Sequence, residues 1–123
     1  MTINEAIAQV ERIRPNTVPT DILIGWLSRV DYYVYEEIMR GREGFESVIF
    51  KPYTLDDGDK TLLVPPPYDE LYVYSLEGHI YYEERELSKQ ANSMALYNEA
   101  MQTYAKKYMR EHRAMPLPNT KYY

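Results

Sequence analysis

Two histidines, His79 and His112, and three groups of carboxylates are the residues of this chain with the means to do chemistry. His79 and Glu83 stand four apart, so on a helix they share a face and could supply two ligands to a metal ion. A metal site of the helix-bundle kind takes Glu-x-x-His from two helices, and this chain has only His79 and His112, neither in such a motif. The pair therefore reads as a hydrogen-bonded surface pair. Asp56, Asp57 and Asp59 surround Gly58, but the alternate-residue spacing and distal Glu of a calcium loop are missing, which leaves an acidic turn. Glu83, Glu84 and Glu86 form a carboxylate run of the kind that lines a solvated helix face, with no second acid set apart for proton transfer. The five glycines make no phosphate-cradling loop, no Ser stands in a nucleophile elbow, and the absence of Cys removes disulfides and thiolate metal sites. The expectation is no catalytic, metal-binding or cofactor-binding residue, no cofactor, and a protein that is not an enzyme.

The elements that would carry these residues are mostly helical. Thr2-Ile3-Asn4-Glu5 has the form of a capping box, and Ile3, Ile7, Val10 and Ile13 follow at helical spacing, predicting a short helix that ends near Arg14 before Pro15. After the turn Asn16 to Pro19, Thr20 and Asp21 open a second helix with Leu23, Trp26, Leu27, Val30, Val34 and Ile38 on one stripe and a stop at Gly41. From Gly44 to Val64 the helical period is lost. Val48, Ile49, Phe50 and Tyr53 on one side of Asp57-Gly58, and Leu62 to Val64 on the other, predict an irregular hairpin or extended loop over about residues 46–64. A third helix is expected from about Tyr68 to Glu86, with Leu71, Gly78, Tyr82 and Arg85 on one side and Gly78 packed close to another backbone. A fourth is expected from about Ser88 to His112, with Ala91, Met94, Met101 and Tyr108 among its repeating positions. The expected fold is thus mainly α, a small bundle of about four helices with an inserted hairpin or loop: one domain over residues 1–113 and an extended tail over 114–123. Leu23, Trp26, Leu27, Val30, Leu71, Met94 and Met101 are its expected core.

Composition narrows the partners. Residues 101–123 carry net +4, which leaves −9 on the rest of a chain whose formal charge is −5. An acidic body disfavours broad contact with a phosphate backbone, while the basic end could meet an acidic partner. No stretch of 18 apolar residues occurs, and Glu5 stands where a secretion signal would be basic, so a soluble, unexported protein without membrane contact is expected. Tyrosine supplies 14 of the 17 aromatic residues, and it serves equally well to pave a core rim or to anchor a protein interface.

The most distinctive stretch is Leu62-Leu63-Val64-Pro65-Pro66-Pro67-Tyr68-Asp69-Glu70-Leu71-Tyr72, where a short apolar run halts at three prolines and a helix begins. Proline's fixed φ and missing N–H suit the approach to a first helical turn and nothing inside one. Preceded by the Trp26 to Asp31 helix and the Asp-Gly turn, and followed by helices ending in Tyr97-Asn98 and Tyr108-Met109-Arg110, it resembles the head-tail adaptor (connector) proteins of long-tailed bacteriophages over about residues 2–113. That resemblance implies a helical virion subunit, assembled in the host cytoplasm into a ring, typically of twelve copies, beneath the portal protein. It would extend the DNA channel, let genomic DNA pass without specific binding, and offer a platform to a stopper or tail-completion protein. The family has no catalytic residues to carry over.

Candidate interface residues on this reading are Phe50 and Tyr53 of the hairpin, Pro65, Pro66, Pro67, Tyr68 and Tyr72 of the joint, Arg110 and Arg113 of the last helix, and Met115, Leu117, Tyr122 and Tyr123 of the tail. The hairpin is expected to serve assembly, and the tail to dock on a partner or remain a plain terminus. Two other readings stand beside it. One is a small helical DNA-binding regulator in which the Pro15 to Thr20 turn joins two helices, although Asp21, Asp31, Glu36 and Glu37 outnumber Arg29 and Arg40 on the second. The other is a free-standing protein-interaction adaptor that uses the tail.

Overall fold

In the computed structural model, residues 1–115 are described, and they are mainly helical with four α-helices: α1 (Ile3–Ile13), α2 (Thr20–Tyr33), α3 (Glu70–Glu83) and α4 (Leu87–Glu111). The capping box at the start of α1 forms as its sequence prescribes, with Glu5 N–H donating to Thr2 Oγ1 at 3.1 Å and Thr2 N–H donating to Glu5 at 2.8 Å. From Val34 to Met39 the second helix widens into a π-helical turn, in which Arg40 N–H reaches back five residues to Tyr35 O. The extra residue in that turn brings both Ile38 and Met39 into the core before Gly41, at φ +77°, ends the element.

α3 is the central element. Leu71, Tyr72, Val73, Ser75, Leu76, Gly78 and Ile80 are all buried, a distribution around most of its circumference that only an enclosed helix can afford. Ile3, Ala6, Ile7 and Val10 of α1, Leu23, Ile24, Leu27 and Val30 of α2, and Met101, Tyr104 and Tyr108 of α4 pack around it. Gly78 packs closely against α4, but on side chains rather than the backbone expected: a Cβ built there would lie 2.5 Å from Met94 Sδ and 3.8 Å from Ser93 Cβ. Tyr82 is exposed, and Arg85, with φ +59°, lies in the turn beyond α3, so the side of the helix expected to run on through both ends at Gly78 and Ile80. Trp26 and Met94 are half-buried at the rim rather than inside.

The segment expected as a hairpin is a loop instead; among the described residues there are no strands, only isolated bridges between Thr2 and Thr61 and between Arg42 and Ala114. A two-residue hairpin turn of the favoured kind needs positive φ at its glycine, and Gly58 sits at φ −53°. Thr54 and Asp57 cap each other around the single turn Leu55–Asp57, which consumes the acidic residues locally. The two halves then bond elsewhere. Tyr53 N–H donates to Ser28 Oγ on α2 at 3.0 Å, whereas Gly58 O, Lys60 O and Leu62 N–H pair with Asn4, Ile3 and Met1.

Candidate functional site

The residues with chemical potential are dispersed. His79 stacks on Trp26, ring centroids 4.5 Å apart, and burial holds its imidazole below the usual histidine range, with Arg29 adding to the effect and Glu83 opposing it. His112 lies at the far end of α4, stacked on Tyr108 with its Nδ1 3.0 Å from Tyr108 O. Among the described residues no three His, Asp or Glu side chains converge as metal ligands. Asp57 caps the Leu55–Asp57 turn and Asp59 accepts from Asn4 Nδ2 at 3.3 Å, so this acidic cluster holds the loop to α1. Glu84 pairs with Arg14, and Glu86 with Lys89 at 2.9 Å.

Two carboxylates are buried among the described residues, Asp69, which pairs with the Met1 amino group at 3.2 Å, and Asp31, whose role the sequence did not disclose. Asp31, fully enclosed on α2, accepts from Tyr72 Oη at 2.5 Å, from Tyr53 Oη and from Leu63 N–H at 3.0 Å. Tyr72 Oη accepts in turn from Val64 N–H at 2.8 Å. Burial pushes the Asp31 carboxyl above its ordinary value, against the pull of its three donors, and pushes the Tyr72 hydroxyl well up. These bonds fasten the approach to the prolines to α2 and α3 at once. The joint is rigid because its backbone donors end on a carboxylate and a phenol, in addition to the three fixed φ angles.

The expected interface residues fall into several environments. Tyr72 is wholly buried, and its hydroxyl belongs to the Asp31 network, so it offers no surface to a partner. Tyr53 joins the same network while its ring packs edge-on to Phe50, centroids 5.4 Å apart; Phe50 also lies 5.8 Å from Tyr35 and 6.2 Å from Tyr32. Pro65, Pro66 and Pro67 are exposed. Tyr68 is half-buried, 5.9 Å from the Tyr104 ring and beneath the Lys107 ammonium. Arg110 and Arg113 are exposed at the end of α4. Met115 N–H donates to Gly41 O at 2.8 Å and Glu43 N–H to Arg113 O at 2.9 Å, which pins the first two residues of the tail to the end of the second helix. Leu117, Tyr122 and Tyr123 lie outside the described residues.

No helix among the described residues is long and apolar enough to cross a membrane. No protein family, curated protein or solved structure matches this chain.

Proposed function

We propose that the protein is a structural link in a virion, a head-tail adaptor whose copies form a ring beneath the portal protein and pass the DNA channel on to a stopper or tail component. The observation that carries this reading is the exposure of large apolar side chains in two places: Ile49 (79%) and Leu55 (64%) on the loop, and Tyr82 (63%) and Leu87 (60%) about the α3–α4 turn. Phe50, next to Ile49, packs on Tyr32 and Tyr35 of the second helix. The segment after Leu55 and the α3–α4 turn lie at opposite ends of α1, whose first turn bonds Gly58 and Lys60 of the loop and whose C-cap, Arg14, pairs with Glu84 beyond α3. Eleven residues of helix put about 16 Å between them. A link needs neighbours in more than one direction, and two distinct patches suit heterologous contacts that close into a ring. The stacking of both histidines on aromatic rings and the engagement of Asp31 in structural hydrogen bonds support a structural reading.

The DNA-binding alternative draws no comparable support. α2 exposes Asp21, Ile22, Tyr32 and Tyr33 with Arg29 as its one cation, a poor face for a phosphate backbone. Light scattering of the purified chain, alone and mixed with portal rings, tests the proposal. A stoichiometric complex with the portal is expected; no association with portal, together with sequence-specific retardation of duplex DNA, would overturn it in favour of a regulator.

A further inference from the structure

Two surfaces of opposite charge stand on this one chain. The first is a groove along the seam of α3 and α4, made of two adjoining depressions of about 240 and 490 Å³ that share Tyr74 and Leu96. Tyr74, Tyr81 and Leu96, the last 39% exposed, supply its apolar surface, polar side chains such as Asn92 and Thr103 share the lining, and Pro67 and Tyr68 lie at one end. Glu70, Glu77 and Glu99 surround it. Their combined field, added to burial, holds the Tyr74 hydroxyl above the usual phenol range. The cation at the far end, Lys89, is engaged by Glu86 at 2.9 Å.

The second surface is the outer face of the last turns of α4. Lys106, Met109 and Arg110 recur at three and four residues, all exposed and turned away from the buried Met101, Tyr104 and Tyr108, and Arg113, also exposed, follows beyond the helix end. Met109, 38% exposed, is an apolar centre among three cations, and among the described residues none of those three enters an ion pair. Lys106 to Arg110 spans about one turn of α4, about 6 Å, and Arg113 follows just beyond the end of the helix at Glu111.

We infer that the basic, methionine-centred end of α4 on one copy of this chain docks in the acidic groove between α3 and α4 of the next. This names the subunit contact of the ring and rests on that reading. The occupant is a second copy because the charge and apolar centre of the one surface complement those of the other. Setting the groove of each copy against the stripe of the next brings opposite charges together and, repeated head to tail, builds the ring of that reading. Tyrosine and methionine at the centre with carboxylates and Arg around them have the make-up of an interface core inside a polar rim.

Because the chain has no cysteine, a double variant, Leu96→Cys/Met109→Cys, reports the contact directly under mild oxidation. Thirteen residues separate these positions on one helix, about 20 Å, too far for a bridge within a chain. A ladder of dimer, trimer and higher species is expected, lost in either single variant. It should also be lost with Glu70→Lys/Glu99→Lys added and regained when Lys106→Glu/Arg110→Glu is then combined with those changes; the four charged positions are all exposed, so folding is spared. Protein that assembles by light scattering, alone or on portals, without forming the ladder would overturn this contact and leave the ring reading standing. Failure to assemble under any of those conditions would overturn both. A Leu96→Cys thiol protected from maleimide in assembled particles, with no ladder from the double variant, would give the groove to another protein and likewise overturn the inference.

Discussion

Asp31 holds together three segments that sequence spacing gives no reason to connect. Tyr53 is 22 residues away, Leu63 32 and Tyr72 41, so the partners of this carboxylate could not be read from local pattern. What was legible was its position, four residues after Leu27 on the stripe that carries Leu23 and Leu27 inward. An acid on a core stripe must find donors or neutralise, and tyrosines abound in this chain. Tyr72→Phe removes a buried hydroxyl that both donates to the carboxylate and accepts from Val64 N–H. We expect a loss of about 3 kcal/mol in urea unfolding, since a bond to a charged group and an orphaned amide are lost together. A change under 1 kcal/mol would show that the network is not holding the joint. The pH dependence has a definite sign. Burial raises the folded carboxyl above its ordinary 3.8, so the native state binds the proton more tightly. The resulting stabilisation is fully present below the unfolded pKa and is lost as pH rises through the folded one. Relative to Asp31→Asn, the wild type should therefore be most favoured in acid and lose ground steadily above about pH 4, and an opposite trend would mean that the hydrogen bonds outweigh desolvation. Trp26, by contrast, was misjudged from its stripe: a large ring at the end of the apolar sector reaches the rim and stacks on His79.

At the scale of elements, helix limits followed from caps and breakers, because those signals act within one turn. Thr2 with Glu5 starts α1, its C-cap is Arg14 just before Pro15, and Gly41 in the left-handed region stops the second helix. The π-helical turn over Val34–Met39 gave no such sign; it is the register shift that lets Ile38 and Met39 both reach the core. The loop was misread for a related reason: β-branched residues and Asp-Gly describe extended chain, but not what the extended chain bonds to. Gly58 O accepts from Asn4 N–H at 2.9 Å and Lys60 O from Ile3 N–H at 3.1 Å, which serves two of the free donors in the first turn of α1. Deleting Asp56 to Lys60 should consequently destabilise the subunit itself, by about 2–4 kcal/mol for two donors left unpartnered, with amide exchange accelerated first in α1. Unchanged protection of α1 would return the loop to a role in assembly alone.

At the scale of the molecule, the division of charge is the feature most legible in sequence and most useful in the fold. Residues 101–123 hold net +4 against −9 elsewhere, and the structure gathers Lys106, Arg110 and Arg113 on one exposed face at the end of the longest helix. A bipolar subunit favours head-to-tail neighbours, and on the proposed adaptor reading an acidic body would suit a channel through which DNA slides. Contacts of this kind should weaken with salt, because exposed pairs are screened beyond about 8 Å at physiological ionic strength. The last segment of the chain can be tested apart from the fold. Met115 N–H to Gly41 O and the bridge of Ala114 with Arg42 are supplied by residues up to 115. Truncation after Met115 should leave the melting temperature within about 2 °C of wild type, while truncation after Arg113 forfeits those contacts and should lower it by about 3–5 °C for a loss near 1 kcal/mol. If the removed residues, Leu117, Lys121, Tyr122 and Tyr123 among them, bind the portal, the shorter truncation should weaken attachment to DNA-filled heads as much as the longer one, despite its intact stability. Full attachment by the chain ending at Met115, with impaired attachment by the chain ending at Arg113, would assign portal contact to the pinned residues and free the end of the chain from that role.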